Sequence, residues 1–285
     1  MNELKLRYPV SEKAKAHTFI DSAAYDAMYK QSIEQPDVFW GEQAKEFIDW
    51  YQPWDTVSKV DMTKSEISWF TGAKLNVSYN CIDRHLATKA DTTAIIFEGD
   101  NPNDSHSVTY QELHDHVCRL ANLLKERGVK KGDRVCLYMP MIPEITYAML
   151  ACARIGAIHS VIFGGFSTES IKARVVDAEC AVIITADESL RGGKSIPLKA
   201  NVDNAVVDCP LVTSVIVVER TGGDVAYNDD LDIKYAAAVA KQPAVCEPEV
   251  MDSEDPLFIL YTSGSTGTPK GVVHTCGGYI LYAAM

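Results

Sequence analysis

The chain has 285 residues, 47% apolar and 23% charged, which is enough to bury a substantial core in one large domain or two modest ones. A formal net charge of -12 excludes broad electrostatic attraction to nucleic acid or anionic lipid, so an anionic ligand must meet a local positive site. The N-terminus has no signal-like apolar core and no run is long enough to span a bilayer, so a cytoplasmic protein without membrane or nucleic-acid partners is expected.

All four tryptophans, at 40, 50, 54 and 69, fall between about residues 10 and 85, among short apolar groups such as Val38–Trp40 and Phe47–Tyr51. This stretch reads as an aromatic-rich layer of helices and extended segments whose rings serve packing. From Ala94 onward, short β-rich runs alternate with helical patterns. The runs are Ala94–Phe97, Arg134–Tyr138, His159–Phe163, Ala181–Ile184, Ser214–Val218 and Leu257–Leu260, all candidates for buried strands. Between the first two, Thr109 and Glu112 form a capping box, Leu113, Val117, Leu120 and Leu124 share one face, and Gly128 follows the end. Crossovers of this kind predict an α/β fold with mixed, largely parallel sheets and flanking helices, and ligands at the carboxyl ends of strands.

Eight cysteines are scattered without CxxC spacing and are expected as reduced core thiols. His114 and His116 would point to different faces of a helix, and a solvated surface is the expectation for both. The turn-rich stretch from Thr221 to Asp230 reads as a surface loop.

Asp255–His274 carries the most chemistry. An apolar strand runs into Thr262–Gly271, where Gly264, Gly267 and Gly271 permit tight turns and free the amides to face phosphate oxygens. The hydroxyls of Thr262, Ser263, Ser265 and Thr266 add donors, and Lys270 adds charge. The spacing fits neither a Walker A loop nor a dinucleotide fingerprint. A flexible Ser/Gly/Thr linker is the plain alternative. The strand before the loop, a helix-like Val272–Thr275 after it and the Pro269-Lys270-Gly271 ending favour a phosphate cradle.

Tyr261–Gly271 resembles the phosphate-binding signature of the adenylate-forming (AMP-binding) superfamily. Ser68–Asn76, Asn80–His85, Val161–Ser167 and Arg191–Lys199 resemble the acetyl-CoA synthetase branch, and the likeness covers nearly the whole chain. The resemblance implies the N-terminal part of the family's large domain, with residues 1–85 as its N-terminal region and 86–285 as a truncated AMP-binding domain. It implies an AMP-forming acetate–CoA ligase, with ATP, CoA and Mg2+ as cofactors and acetate or another short-chain acid as substrate. Propionate as the acid, or a noncatalytic remnant that at most binds nucleotide or CoA, are the alternatives.

By the same resemblance Thr262, Ser263, Gly264, Ser265, Thr266, Gly267, Lys270 and Gly271 would hold ATP phosphates. Phe163, Gly164, Gly165, Arg191, Gly192, Gly193 and Lys194 would meet CoA. Lys194 departs from the arginine of related enzymes and Thr268 from a common lysine; charge survives at the first position but bidentate geometry does not. No metal ligand, nucleophile or general base is expected here. The acyl pocket, ribose-binding aspartate, hinge and adenylation lysine of the family would lie beyond Met285, so this fragment alone is expected to be inactive.

Overall fold

The computed structural model describes residues 8–207, 209–262 and 269–285, and the chain divides into two compact units, one ending at Phe47 and one starting at Ile48. In the first, Asp21 accepts from the Ala24 amide at 2.8 Å and so caps the helix Ser22–Glu34. The helix Pro36–Phe47 follows, opened by a proline whose fixed φ suits a first helical position. Gln31 on the first helix donates to Glu42 on the second at 3.2 Å.

In the second unit, Thr56–Asp61 and Glu66–Thr71 form an antiparallel ribbon. Phe70, 1% exposed, packs against Trp50 and Trp54 with ring centroids 5.4 and 5.1 Å away, so these aromatics are packing residues, as the composition suggests. Asn76 and Asn80 latch this region down. The Asn76 side-chain amide donates to the carbonyls of Ala153, Arg154 and Glu249 at 2.9 to 3.2 Å, and the Asn80 amide donates to Asp49 and Asn76.

The main sheet has seven strands in the order Asp232–Lys234, Ser214–Val218, Val182–Ala186, Arg134–Met139, Ile158–Phe163, Pro256–Thr262 and Lys270–Thr275. The first six run parallel and the last is antiparallel to its neighbour. Val182–Ala186 and Ser214–Val218 are buried throughout, as β-branched runs covered on both faces should be. The helix Tyr110–Glu126 has the expected reciprocal capping box between Thr109 and Glu112, and it buries Leu113, Val117, Leu120 and Leu124. Gly128, at φ 86, follows its end.

Three local expectations fail. Ala94–Phe97 lies in the strand Thr93–Glu98, which among the described residues pairs with Ser105–Thr109 alone, outside the main sheet. Ile96 is 72% exposed there, because alternate side chains of a two-stranded ribbon face outward. Val272–Thr275 is not helix-like but part of the edge strand Lys270–Thr275, and the helix begins only at Cys276. His114 is no solvated surface residue. Its Nε2 lies 3.6 Å from Asp83 and 3.5 Å from the Cys118 sulfur, and Asp83, then Cys118, push it up to about 10.

All eight cysteines are free thiols, seven of them buried and Cys81 half-buried. Burial pushes Cys81 up to about 11 and Cys180 and Cys276 up to about 12. No helix among the described residues is long and apolar enough to cross a membrane.

Candidate functional site

The strand Ile158–Phe163 ends in Gly164 and Gly165, and the chain reverses as the Phe166 amide donates to the Phe163 carbonyl at 3.0 Å. Gly164 is required by close approach, since a Cβ there would sit 3.0 Å from the Met139 carbonyl oxygen on the neighbouring strand. The buried Tyr138 hydroxyl donates to the Phe166 carbonyl at 2.9 Å and accepts from the Asn201 amide at 3.3 Å. These two bonds tie the turn to the sheet and to the helix Leu198–Val206. The Phe163 ring is left 51% exposed.

Arg191 arrives from a different part of the chain. Ser189–Arg191 and Lys194–Ile196 form a short hairpin in which Arg191 lies opposite Lys194. Gly192 and Gly193, at φ 57 and 74, occupy the two turn positions that need left-handed backbone, so their glycines have a structural reason. The Arg191 guanidinium carbon stands 5.0 Å from the centroid of the Phe163 ring, a cation–π arrangement.

Phe163, Gly164 and Arg191 line a cavity of about 620 Å³ at the carboxyl ends of the strands Arg134–Met139, Ile158–Phe163 and Pro256–Thr262. That is where parallel sheets collect ligands. Gly165, Gly192, Gly193 and Lys194 are near in sequence but do not line it. Arg174 and Arg220 do, and neither was signalled by the sequence. Arg220 is held in place from behind: the buried Asp187 carboxylate accepts from the backbone amides of Arg220, Thr221 and Gly222. Its guanidinium pairs with Asp104 and lies over the Phe97 ring at 5.4 Å. The only cue was Asp187 directly after a strand, which does not reveal a partner so distant in sequence.

The expected phosphate loop falls between two paired strands, Pro256–Thr262 and Lys270–Thr275. Thr262 is the Cα partner of Lys270 and Tyr261 that of Gly271, so both ends of the expected cradle are brought together. Ser263, Gly264, Ser265, Thr266 and Gly267 lie outside the described residues. At Gly271 a Cβ would approach Ile259 to 3.1 Å and Tyr261 to 3.4 Å. Tyr261 also lines the cavity, and its hydroxyl donates to Asp177 at 2.6 Å. Burial, then this bond, raises the Tyr261 hydroxyl above its ordinary value.

The described cavity wall carries three arginines, Arg174, Arg191 and Arg220, together with the acidic Glu98 and Asp100 and the rings of Phe97, Phe163, Phe166 and Tyr261. Among the described residues, no group of three or more His, Cys, Asp or Glu could hold a metal ion.

Residues 82–285 match the family model described as AMP-binding enzyme, and residues 25–81 match one described as acetyl-coenzyme A synthetase N-terminus. The acetyl-coenzyme A synthetase of Saccharophagus degradans is 62% identical over 278 residues, covering 98% of this chain and 43% of that protein. Acetyl-coenzyme A synthetase 2 of Pseudomonas aeruginosa is 58% identical with the same coverage. The acetyl-coenzyme A synthetase of Alkalilimnicola ehrlichii is 55% identical over all 285 residues, or 44% of its own length. The chain therefore spans less than half the length of these curated relatives. With a family model matched from the helix Asp83–Lys89 through the strands Pro256–Thr262 and Lys270–Thr275 to Met285, the chain belongs to the AMP-binding enzyme family.

Proposed function

We propose that this chain supplies the ATP phosphate loop and the CoA nucleotide subsite of an AMP-forming acetate–CoA ligase. The observation that carries the reading is Arg191 over the exposed Phe163 ring, at a cavity also lined by Tyr261, the residue before Thr262. An aromatic face with a cation beside it suits a phosphorylated adenine nucleotide, and the adjoining strand pair presents Thr262 and Lys270 at the mouth of a glycine-rich loop. In the reaction, the carboxylate of acetate attacks the α-phosphate of ATP, pyrophosphate leaves, and the CoA thiol then displaces AMP from the acyl adenylate.

The residues here bind and orient rather than react. Thr262 to Gly267, with Lys270, would stabilise charge on the β- and γ-phosphates, and Phe163, Gly164, Gly165 and Arg191 to Lys194 would hold CoA. Magnesium, expected with ATP, finds no set of three ligating side chains among the described residues. This reading places the border between N-terminal region and AMP-binding domain at residues 85 and 86, inside the helix Asp83–Lys89. It also places the enzyme in the cytoplasm.

The test is acetate-dependent ATP–pyrophosphate exchange in a chimera carrying this chain in place of the matching part of the Saccharophagus relative. Lys270→Ala and Gly267→Val are expected to lower exchange at least about tenfold, the scale of one lost charge-assisted contact. Arg191→Ala should raise the KM for CoA and leave exchange intact. Unchanged exchange in both loop variants would refute the phosphate-loop assignment. Faster turnover of propionate than acetate would change the substrate.

A further inference from the structure

Arg174 is a buried cation that the proposed reaction does not use. It lies on the helix Thr168–Asp177, is only 7% exposed, and lines the same cavity as Arg191. A guanidinium cannot shed its charge to escape burial, so it must find an anion or a hydrogen-bonded substitute. Arg119, half-buried, donates to the Gln242 carbonyl, and other buried or half-buried arginines pair with carboxylates. Arg154 grips Asp83 with two nitrogens at 2.8 Å, Arg134 meets Glu179 at 2.7 Å, and Arg220 meets Asp104.

Arg174 instead donates one hydrogen bond, from Nη1 to the Ser170 carbonyl at 2.8 Å. Its guanidinium carbon lies 4.9 Å from the centroid of the Phe166 ring and 5.4 Å from that of Tyr261. Asp177, on the same helix, is engaged by the Tyr261 hydroxyl, and no carboxylate among the described residues forms an ion pair with Arg174. A buried charge beside two aromatic rings, at a cavity in a chain of net charge -12, lacks an anion that the described residues do not supply.

We propose that Arg174 is an anion-binding residue that takes a phosphoryl oxyanion entering the cavity between the Phe163–Phe166 turn and the strand leading to Thr262. The planar guanidinium fits two phosphoryl oxygens at once, and it lies against the rings of Phe166 and Tyr261. Two sources present this chemistry, the diphosphate of CoA and the pyrophosphate of ATP. The identity of the source rests on the function proposed above; the oxyanion site itself rests on the unpaired charge.

The test is calorimetric titration of the full chain at low salt with inorganic pyrophosphate, and separately with CoA. The native chain should bind pyrophosphate, Arg174→Met should lose affinity at least about tenfold, and Arg174→Lys should keep part of it. Methionine keeps an apolar stem beside the rings, and a thermal melt checks that the variant is folded. Where it is not, the Arg174 Nε–Hε resonance of the native chain, assigned by its absence in Arg174→Lys, should shift when pyrophosphate is added.

Failure of the native chain to bind pyrophosphate, undiminished binding by folded Arg174→Met, or an unmoved resonance would overturn the proposal. Displacement of pyrophosphate by CoA assigns the oxyanion to the CoA diphosphate, and simultaneous binding assigns it to ATP. A chain that takes pyrophosphate through Arg174 but never CoA would count against the CoA subsite at Arg191 and leave this site standing.

Discussion

The helices Ser22–Glu34 and Tyr110–Glu126 are specified by the same local devices yet end in opposite surroundings. Each begins with a side-chain cap, Asp21 in one and Thr109 in the other, and each carries large apolar or aromatic residues at helical spacing. The first buries no residue: Tyr25, Tyr29 and Ile33, four apart, are 60%, 58% and 65% exposed. The second buries seven, among them Leu120 and Leu124 at 0%. Caps and spacing determine that a helix forms, whereas the mass of apolar chain around it determines what the helix is worth.

The comparison can be broken most forcefully where Tyr110–Glu126 is anchored by charge. Asp83 faces Arg154, whose side chain is 3% exposed, and has His114 of this helix 3.6 Å away. Burial would raise the Asp83 carboxyl, but the Arg154 hydrogen bonds and His114 outweigh it and hold the group at about 2. Asp83→Leu should destabilise the second unit by about 3–5 kcal/mol, since it strands a buried guanidinium. Denaturant unfolding reads the loss, and restoration by the double variant with Arg154→Met would confirm its cause.

Next in size, Leu120→Ala should cost about 2–5 kcal/mol through the cavity it leaves, while Tyr29→Ala at its exposed position should stay within about 0.5 kcal/mol. Equal losses in the two would erase the distinction between the helices. The comparison can also be sharpened by a slope with pH. The folded value of about 10 for His114 stands above its ordinary 6.5, so its stabilisation is complete below about 6.5 and is lost as pH rises through about 10. The melting temperature should fall across that window, and His114→Gln should flatten the decline. On the acid side Asp83 acts oppositely, its contribution present above 3.8 and lost towards about 2.

The sequence readily revealed features set by neighbours along the chain. The capping box and the buried face of Tyr110–Glu126 form as expected, and five of six strand candidates appear in the main sheet because apolar runs of β-branched residues between helices have few other solutions. Thr93–Glu98 was misplaced because a short apolar run does not say how many strands will cover it. Val272–Thr275 was misread because a four-residue β-branched segment has no usable period, and its pairing with Pro256–Thr262 decides its form.

At the candidate site, Phe163, Gly164 and Arg191 were legible and do meet. Tyr138, Arg174 and Arg220 were not, since each matters through a partner brought near only by folding: Phe166, Tyr261 and Asp104. The resemblance motifs proved partly architectural. Asn76, Asn80 and Asp83 serve as latches within the fold rather than facing the cavity.

The eight free thiols have a practical consequence. Seven are buried, and the half-buried Cys81 is held at about 11, so at neutral pH almost none of it is the reactive thiolate. Native cysteines should therefore stay silent towards maleimide and iodoacetamide reagents while the chain is folded. A single cysteine introduced on the exposed Ser22–Glu34 helix could then carry a fluorophore with the natural sequence otherwise untouched, and sudden labelling of the remaining thiols would report unfolding.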